Sequence, residues 1–111
     1  NEGLPKFMVN DLEKNINLKN KTVGVLGLAF KAETDDLRDS LAVKLVKILK
    51  SKKIKTLQSD EYFKSKETID KKILIKKSDI IIIAAPHKAY KKLKINKKKL
   101  LIDIWGFVEK K

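Results

Sequence analysis

The 111-residue sequence contains no cysteine, and this absence excludes several kinds of chemistry from the chain. Disulfide bonds, thiolate metal sites and cysteine nucleophiles all require a thiol. Long apolar runs are also missing: the most extended one, Ile80 to Pro86, falls far short of the roughly 20 residues that a membrane helix needs. The first residues lack the basic start and apolar segment of a secretory signal. We therefore predict a soluble, cytoplasmic protein.

Arginine is scarce although the chain is strongly basic, with a net charge of +13. Arg38 is the single arginine, and the excess of positive charge in residues 44–111 comes from lysine alone. Arginine is the residue that reads guanine edges and binds phosphates in a bidentate manner, and the few aromatic residues are scattered rather than interleaved with basic ones. A lysine-rich nucleic-acid-binding domain is therefore the least favoured alternative, and we predict no nucleic-acid partner and no membrane partner.

Short apolar segments alternate along the chain with segments of helical periodicity. The predicted strands cover residues 22–30, 54–57, 79–85 and 100–104, and the predicted helices cover residues 41–53 and 67–77, with a short helix or turn at 87–93. The run of isoleucines from Ile80 shows no polar alternation, which is typical of a parallel strand covered on both faces. The order predicts an α/β fold: a doubly wound parallel sheet in a single three-layer α/β/α domain.

The first 20 residues differ in character from the rest. Asn10 is followed three residues later by Glu13, a spacing typical of a helix capping box, so we predict a short helix beginning there. The segment ends in a polar run up to Asn20. We expect residues 1–20 to connect from an upstream region and residues 21–111 to form the folded domain.

Ligands of a doubly wound sheet bind outside the carboxyl ends of the strands, at the point where the strand order reverses. Residues 27–40, 59–60, 86–87 and 105–106 would meet there. Gly24-x-x-Gly27-x-Ala29 partly resembles a dinucleotide fingerprint, but one glycine is missing and no helix begins at once. We therefore do not interpret it as a standard NAD-binding turn. The simpler alternative, in which the glycines only let a strand pack and turn, stays open.

The loop that follows is far more specific. The run Leu26-Gly27-Leu28-Ala29-Phe30-Lys31, followed by Thr34-Asp35-Asp36-x-Arg38-x-Ser40-x-Ala42, resembles the signature of the C-terminal domain of the UDP-glucose/GDP-mannose dehydrogenase family. Leu41 stands where members of the family often have proline. The resemblance extends over most of the chain, because residues 79–87 and 101–106 also fall where the family has similar segments.

The resemblance implies a Rossmann-like domain that binds the nucleotide end of a UDP-sugar. It also implies a longer, NAD-dependent enzyme that oxidises the C6 alcohol of a UDP-sugar, of the UDP-glucose or UDP-N-acetylhexosamine type, to a uronic acid. In that enzyme an N-terminal domain binds NAD, a catalytic cysteine and lysine lie upstream, and a central helical region forms a homodimer or larger assembly. The alternative is a stand-alone nucleotide-binding module without catalysis.

Three residues of the loop match functional positions of the family. The resemblance implies that Phe30 and Lys31 contact the UDP-sugar and that Arg38 reaches toward NAD. A lysine ammonium suits a hydroxyl or phosphate oxygen, and a guanidinium suits a pyrophosphate. The simpler interpretations are a solvated loop lysine for Lys31 and a pairing of Arg38 with a neighbouring aspartate. Neither a catalytic residue nor a metal ligand is expected in this chain.

Two further polar residues follow predicted strands. His87 is the single histidine, and catalysis by it would need an orienting partner that the sequence does not reveal, so a helix cap or a contact at the substrate rim is favoured. Asp60 stands where an acidic residue can hold a ribose, although the signal is weak without a standard fingerprint. Pro86-His87 resembles members that act on UDP-N-acetylhexosamines. Family members place an arginine near the position of Trp105, which leaves one nucleotide contact unassigned here.

Overall fold

The computed structural model describes residues 3–29 and 40–104. Within these ranges the elements follow one another as α1 (Gly3–Asn15), β1 (Thr22–Leu26), α2 (Leu41–Ser51), β2 (Lys55–Ser59), α3 (Lys71–Lys77), β3 (Ile80–Ile83) and β4 (Leu100–Asp103). Two single turns of 3₁₀ helix, Leu18–Asn20 and Lys88–Tyr90, lie between them.

The strands form one parallel sheet in the order β2-β1-β3-β4. From β1 the chain runs to β2 on one side and later returns to β3 on the other, so the strand order reverses between β1 and β3. The predicted doubly wound parallel sheet is therefore confirmed. Its switch point lies at the carboxyl ends of β1 and β3, where doubly wound proteins bind their ligands.

Helices cover both faces of the sheet, which confirms the three-layer architecture. On one face α1 and α2 pack against Val23, Val25, Ile80 and Ile82. On the other face α3 packs against Leu26 and the alternate isoleucines of β3, together with the buried Tyr90. Because side chains alternate across a strand, the four consecutive isoleucines of β3 fill both cores, and all four are buried.

Helix α2 forms where the apolar spacing predicts it, after Ser40 as its N-cap. Helix α1 differs from the prediction, because it begins at Gly3 and Asn10 lies inside it rather than at a cap. Pro5, Val9 and Leu12 are spaced four and three residues apart and form a buried stripe that packs α1 against the core it shares with α2. The predicted domain boundary at residue 20 stays a prediction.

Helix α3 begins at Lys71 and not at Glu67. The preceding residues extend along β2, where Thr68 forms a parallel bridge with Gln58, and Asp70 then caps the helix by accepting a hydrogen bond from the Lys72 N–H at 2.9 Å. None of the helices in the described ranges is long and apolar enough to cross a membrane. The predicted cytoplasmic location stays a prediction.

Gly24 lets α3 approach β1 closely. A Cβ atom added at Gly24 would lie 2.5 Å from Leu74 Cδ2 and would also clash with the Ser78 hydroxyl. Leu74 is fully buried between the helix and the sheet, so it has little room to move.

We expect Gly24→Ala to lower the free energy of unfolding by about 1–3 kcal/mol, because the added methyl group overpacks the contact between α3 and β1. Urea unfolding followed by circular dichroism measures this change. Gly3→Ala is the matched control: Gly3 is exposed at the start of α1, and its substitution should change stability by less than about 0.5 kcal/mol. Equal stabilities of Gly24→Ala and wild type would contradict the packing described here.

Candidate functional site

The carboxyl edge of the sheet begins with a tight turn at Gly27. Its φ angle is +92°, and an added Cβ atom would lie 2.6 Å from Ala85 Cβ and 2.7 Å from Ala85 N. Its N–H donates a hydrogen bond to the carbonyl of Ser59, the last residue of β2, at 2.8 Å. Gly27 therefore meets both a conformational and a steric requirement that other residues fail. This supports the simpler interpretation of the glycines as residues for packing and turning.

Asp60 follows β2 directly and is completely buried. Its Oδ1 atom accepts hydrogen bonds from the backbone N–H groups of Leu28 at 2.6 Å and Ala29 at 3.3 Å. The same oxygen lies 2.9 Å from Nε2 of His87. One carboxylate oxygen therefore joins the loop after β1 to the loop after β3.

The second oxygen of Asp60 forms hydrogen bonds within the loop after β2, to which Asp60 itself belongs. Oδ2 accepts hydrogen bonds from the N–H groups of Tyr62 and Phe63, both at 2.8 Å. Burial by itself raises the pKa of a carboxyl, but the hydrogen bonds from His87 and from three backbone N–H groups outweigh it and hold the pKa of Asp60 far below its ordinary value of 3.8. Asp60 is therefore a carboxylate at neutral pH. Its negative charge is stabilised by hydrogen-bond donors of the protein itself.

His87 is fully buried and has the partner that the sequence did not reveal. Its ring also lies edge-on to Tyr62, with centroids 4.9 Å apart, and 5.5 Å from the ring of Tyr90. It precedes the 3₁₀ turn but its side chain makes no capping hydrogen bond. Both favoured interpretations, a cap and a substrate-rim contact, are therefore wrong. The ribose role considered for Asp60 is also wrong, because its carboxylate is inaccessible.

The pairing of Asp60 with His87 could have been inferred from one signal. Both residues follow a predicted strand closely, and the carboxyl ends of parallel strands lie at one edge of a sheet. The sequence separation of 27 residues hides the contact from any local pattern.

Ser40 closes the far end of the loop that follows β1. Its hydroxyl donates a hydrogen bond to the Leu28 carbonyl and accepts one from the Val43 N–H at 3.2 Å. Its side chain is 2% exposed. We call residues 30–39, the central part of the family signature, the signature loop. The residues before and after it, Leu28 and Ser40, are thus joined by a hydrogen bond at the carboxyl edge of the sheet.

The three predicted site residues, Phe30, Lys31 and Arg38, lie outside the described residues, as do Trp105 and the residues after it. What the structure places is the pair of attachment points, Ala29 and Ser40. Both lie at the switch point between β1 and β3, so the loop between them starts and ends where a ligand is expected. The roles of the three residues stay predictions.

Comparison with known proteins shows which family this domain belongs to. Residues 24–110 match the UDP-glucose/GDP-mannose dehydrogenase family, UDP binding domain. The chain belongs to this family.

Two curated members of the family align with most of the chain. A UDP-N-acetyl-D-mannosamine dehydrogenase of Pyrococcus horikoshii is 32% identical over 93% of the chain and 27% of its own length. A UDP-glucose 6-dehydrogenase of Rickettsia felis is 34% identical over 84% of the chain and 24% of its own length. The chain thus spans about a quarter of the length of these relatives.

A solved structure confirms the fold. The UDP-N-acetyl-mannosamine dehydrogenase of Staphylococcus aureus superimposes with a TM-score of 0.88 over the whole chain and 28% of its own length, at 24% identity. The Rossmann-like architecture predicted from the sequence is therefore that of a solved nucleotide-sugar dehydrogenase.

In the described residues of this family member, the turn after β1 and the acid after β2 do not have the features of a Rossmann dinucleotide-binding site. Such a site needs a helix beginning directly after the glycine turn and an accessible acid at the end of the second strand. Here α2 begins only at Leu41, well after Gly27, and Asp60 is enclosed by N–H donors. Within the described ranges, no group of three or more histidine, aspartate or glutamate residues could hold a metal ion.

We expect the free energy of unfolding to decrease as the pH falls below about 3.8, since Asp60 binds a proton in the unfolded chain before it does so in the native one. The stabilisation that Asp60 contributes is fully present above that pH. It is lost as the pH falls from that value toward the lowered pKa of the native state. In Asp60→Asn this contribution should be missing, so stability should depend less steeply on pH in this range. Urea unfolding between pH 2 and pH 7 measures both curves.

Ser40→Ala serves as the control, because it should cost about 0.5–2 kcal/mol through loss of a helix cap without removing an acid. Its stability curve should run parallel to that of the wild type. Parallel curves for Asp60→Asn and wild type would show that the carboxylate is not stabilised in the native state.

Proposed function

We propose that this chain is the C-terminal, UDP-sugar-binding domain of an NAD-dependent dehydrogenase that oxidises the C6 alcohol of a UDP-sugar to a uronic acid. Membership of the family supports this proposal, since the matching family domain is described as UDP binding. The single observation that carries it is the position of the two residues that flank the signature loop. These residues, Ala29 and Ser40, are fastened at the switch point of the sheet by Asp60 and by the Leu28 carbonyl.

The chemistry of this edge suits a nucleoside diphosphate. The 11-residue helix α2 begins directly after Ser40, and the positive end of a helix dipole favours phosphate groups. In the proposal Lys31 adds a compact positive charge for a phosphate or sugar hydroxyl, and Phe30 also contacts the UDP-sugar.

The redox chemistry belongs in this proposal to other parts of a longer protein. The 111 residues contain no cysteine, so the nucleophilic thiol of the family mechanism would have to come from outside them. NAD, which accepts hydride in such reactions, would be bound mainly by an N-terminal domain, with Arg38 contributing from this chain. We also propose a homodimer or larger assembly for that protein.

The proposed substrate class is a UDP-hexose or a UDP-N-acetylhexosamine. The relatives named above carry the names of both kinds of enzyme. The resemblance of Pro86-His87 to members that act on N-acetylhexosamines does not decide between them. His87 is fully buried against Asp60, so it makes no direct contact with a sugar.

Titration of UDP and UDP-sugars into the chain by calorimetry tests the proposal. Lys31→Ala should weaken UDP binding about 10- to 100-fold, because a hydrogen bond to a charged group contributes roughly 1.5–3 kcal/mol. Lys55→Ala is the matched control: Lys55 is an exposed lysine at the start of β2, on the opposite edge of the sheet, and its loss should leave UDP affinity unchanged.

The alternatives give different outcomes. Failure of the wild-type chain to bind UDP at millimolar concentration, or equal effects of the two lysine substitutions, would contradict the proposed site. Tight, salt-dependent binding of random DNA would favour the nucleic-acid alternative. UDP binding by a protein that does not reduce NAD in the presence of any UDP-sugar would favour a binding module without catalysis.

A further inference from the structure

The backbone N–H and the backbone carbonyl of Leu28 are both hydrogen-bonded to buried side chains. Its N–H donates to Asp60 Oδ1 at 2.6 Å, and its carbonyl accepts from the Ser40 hydroxyl. Asp60 is 0% exposed and Ser40 is 2% exposed. Since Leu28 lies before the signature loop and Ser40 directly after it, the two ends of the loop are joined through one residue, Leu28. We call Asp60, Leu28 and Ser40 the loop clamp.

We propose that Asp60 and Ser40 are positioning residues that set the affinity for the UDP-sugar by fixing the two points, Leu28–Ala29 and Ser40, between which the signature loop runs. The inference rests on the proposed function, in which that loop contacts the ligand. Neither side chain touches the ligand itself, because both are buried in the protein. They act through the backbone that carries Phe30 and Lys31.

A clamp matters for affinity because an unrestrained loop occupies its binding conformation for only part of the time. The apparent affinity then falls by the fraction that is competent. Without the clamp, the ligand would also have to order the loop as it binds, and that conformational entropy is subtracted from the binding free energy. A loop whose two ends are already joined has fewer conformations left to lose.

The carboxylate at position 60 is chemically specific. Its two oxygens accept from five N–H donors, which belong to the loops after β1, β2 and β3. A carboxylate offers acceptors on both oxygens, whereas an asparagine amide would turn two N–H donors toward some of these groups. The shape would be preserved, but donors would face donors at the base of the signature loop.

His87 and the N–H groups of Tyr62 and Phe63 fix the orientation of the carboxylate from the other two loops. The clamp is therefore anchored to β2 and β3 and not only to the loop that it restrains. This explains why a buried histidine and a buried aspartate lie beside a ligand-binding edge without facing the ligand.

The first experiment compares two losses of a helix cap. Ser40→Ala removes the cap of α2 and the hydrogen bond to Leu28, whereas Asp70→Ala removes the cap of α3 and leaves the clamp intact. UDP titrations are carried out at a temperature where thermal melts show each variant to be fully folded. We expect Ser40→Ala to bind UDP about tenfold more weakly and Asp70→Ala to bind like the wild type. Ser40→Thr, which keeps the hydroxyl, should restore affinity.

A second pair of variants tests the carboxylate. Asp60→Asn should weaken UDP binding at least as much as Ser40→Ala and should shift the amide resonances of Leu28 and Ala29. Asp79→Asn is its control, since Asp79 accepts from the Thr22 N–H at 2.9 Å at the opposite end of β1. It should leave both the affinity and these two resonances unchanged.

The outcomes separate the clamp from the proposed function. No UDP binding by the wild-type chain would overturn the proposed function and the clamp with it. Wild-type binding that folded Ser40→Ala and Asp60→Asn both retain would overturn the clamp alone, as would an equal loss in Asp70→Ala. Should Asp60→Asn fail to fold, the comparison of Ser40→Ala, Ser40→Thr and Asp70→Ala decides the question by itself.

Discussion

The buried carboxylate of Asp60 is the constraint on which the functional edge of this domain depends. A charge taken out of water is costly unless hydrogen bonds replace its hydration. Asp60 meets this requirement with backbone N–H groups from two loops and with the ring of His87 from a third. The need to satisfy one anion therefore fixes the relative positions of three loops, which a purely apolar contact would leave free to slide.

Small residues make that arrangement sterically possible. Gly27 lies against Ala85 with no space for a side chain, and Gly24 likewise lies against Leu74 of α3. These contacts bring the end of β1 close to the ends of β2 and β3, so that the Leu28 N–H reaches the carboxylate. The glycine pattern that partly resembles a dinucleotide fingerprint thus contributes to a different kind of site, one reached through a long loop.

Much of the fold was predictable because its signals are local. The strands, the cap at Ser40 and the buried face of α2 follow from short patterns of apolar residues and caps, and the parallel sheet follows from the unbroken run at Ile80. The errors have local causes as well. Asn10 and Glu13 have the spacing of a capping box, yet α1 begins at Gly3 because its buried stripe includes residues before Asn10. Helix α3 begins only at Lys71 because Thr68 pairs with β2 instead.

The sequence by itself determined the family and the candidate residues Phe30, Lys31 and Arg38, because the signature is contiguous and each of its positions can be recognised without knowing its neighbours in space. Only the tertiary structure decided the roles of Asp60 and His87. Their partners lie on other loops, and a hydrogen bond across 27 residues depends on the order of strands in the sheet. Burial is likewise a property of the packed layers. Because Asp60 and His87 are buried, they support the loops of the site instead of contacting the ligand.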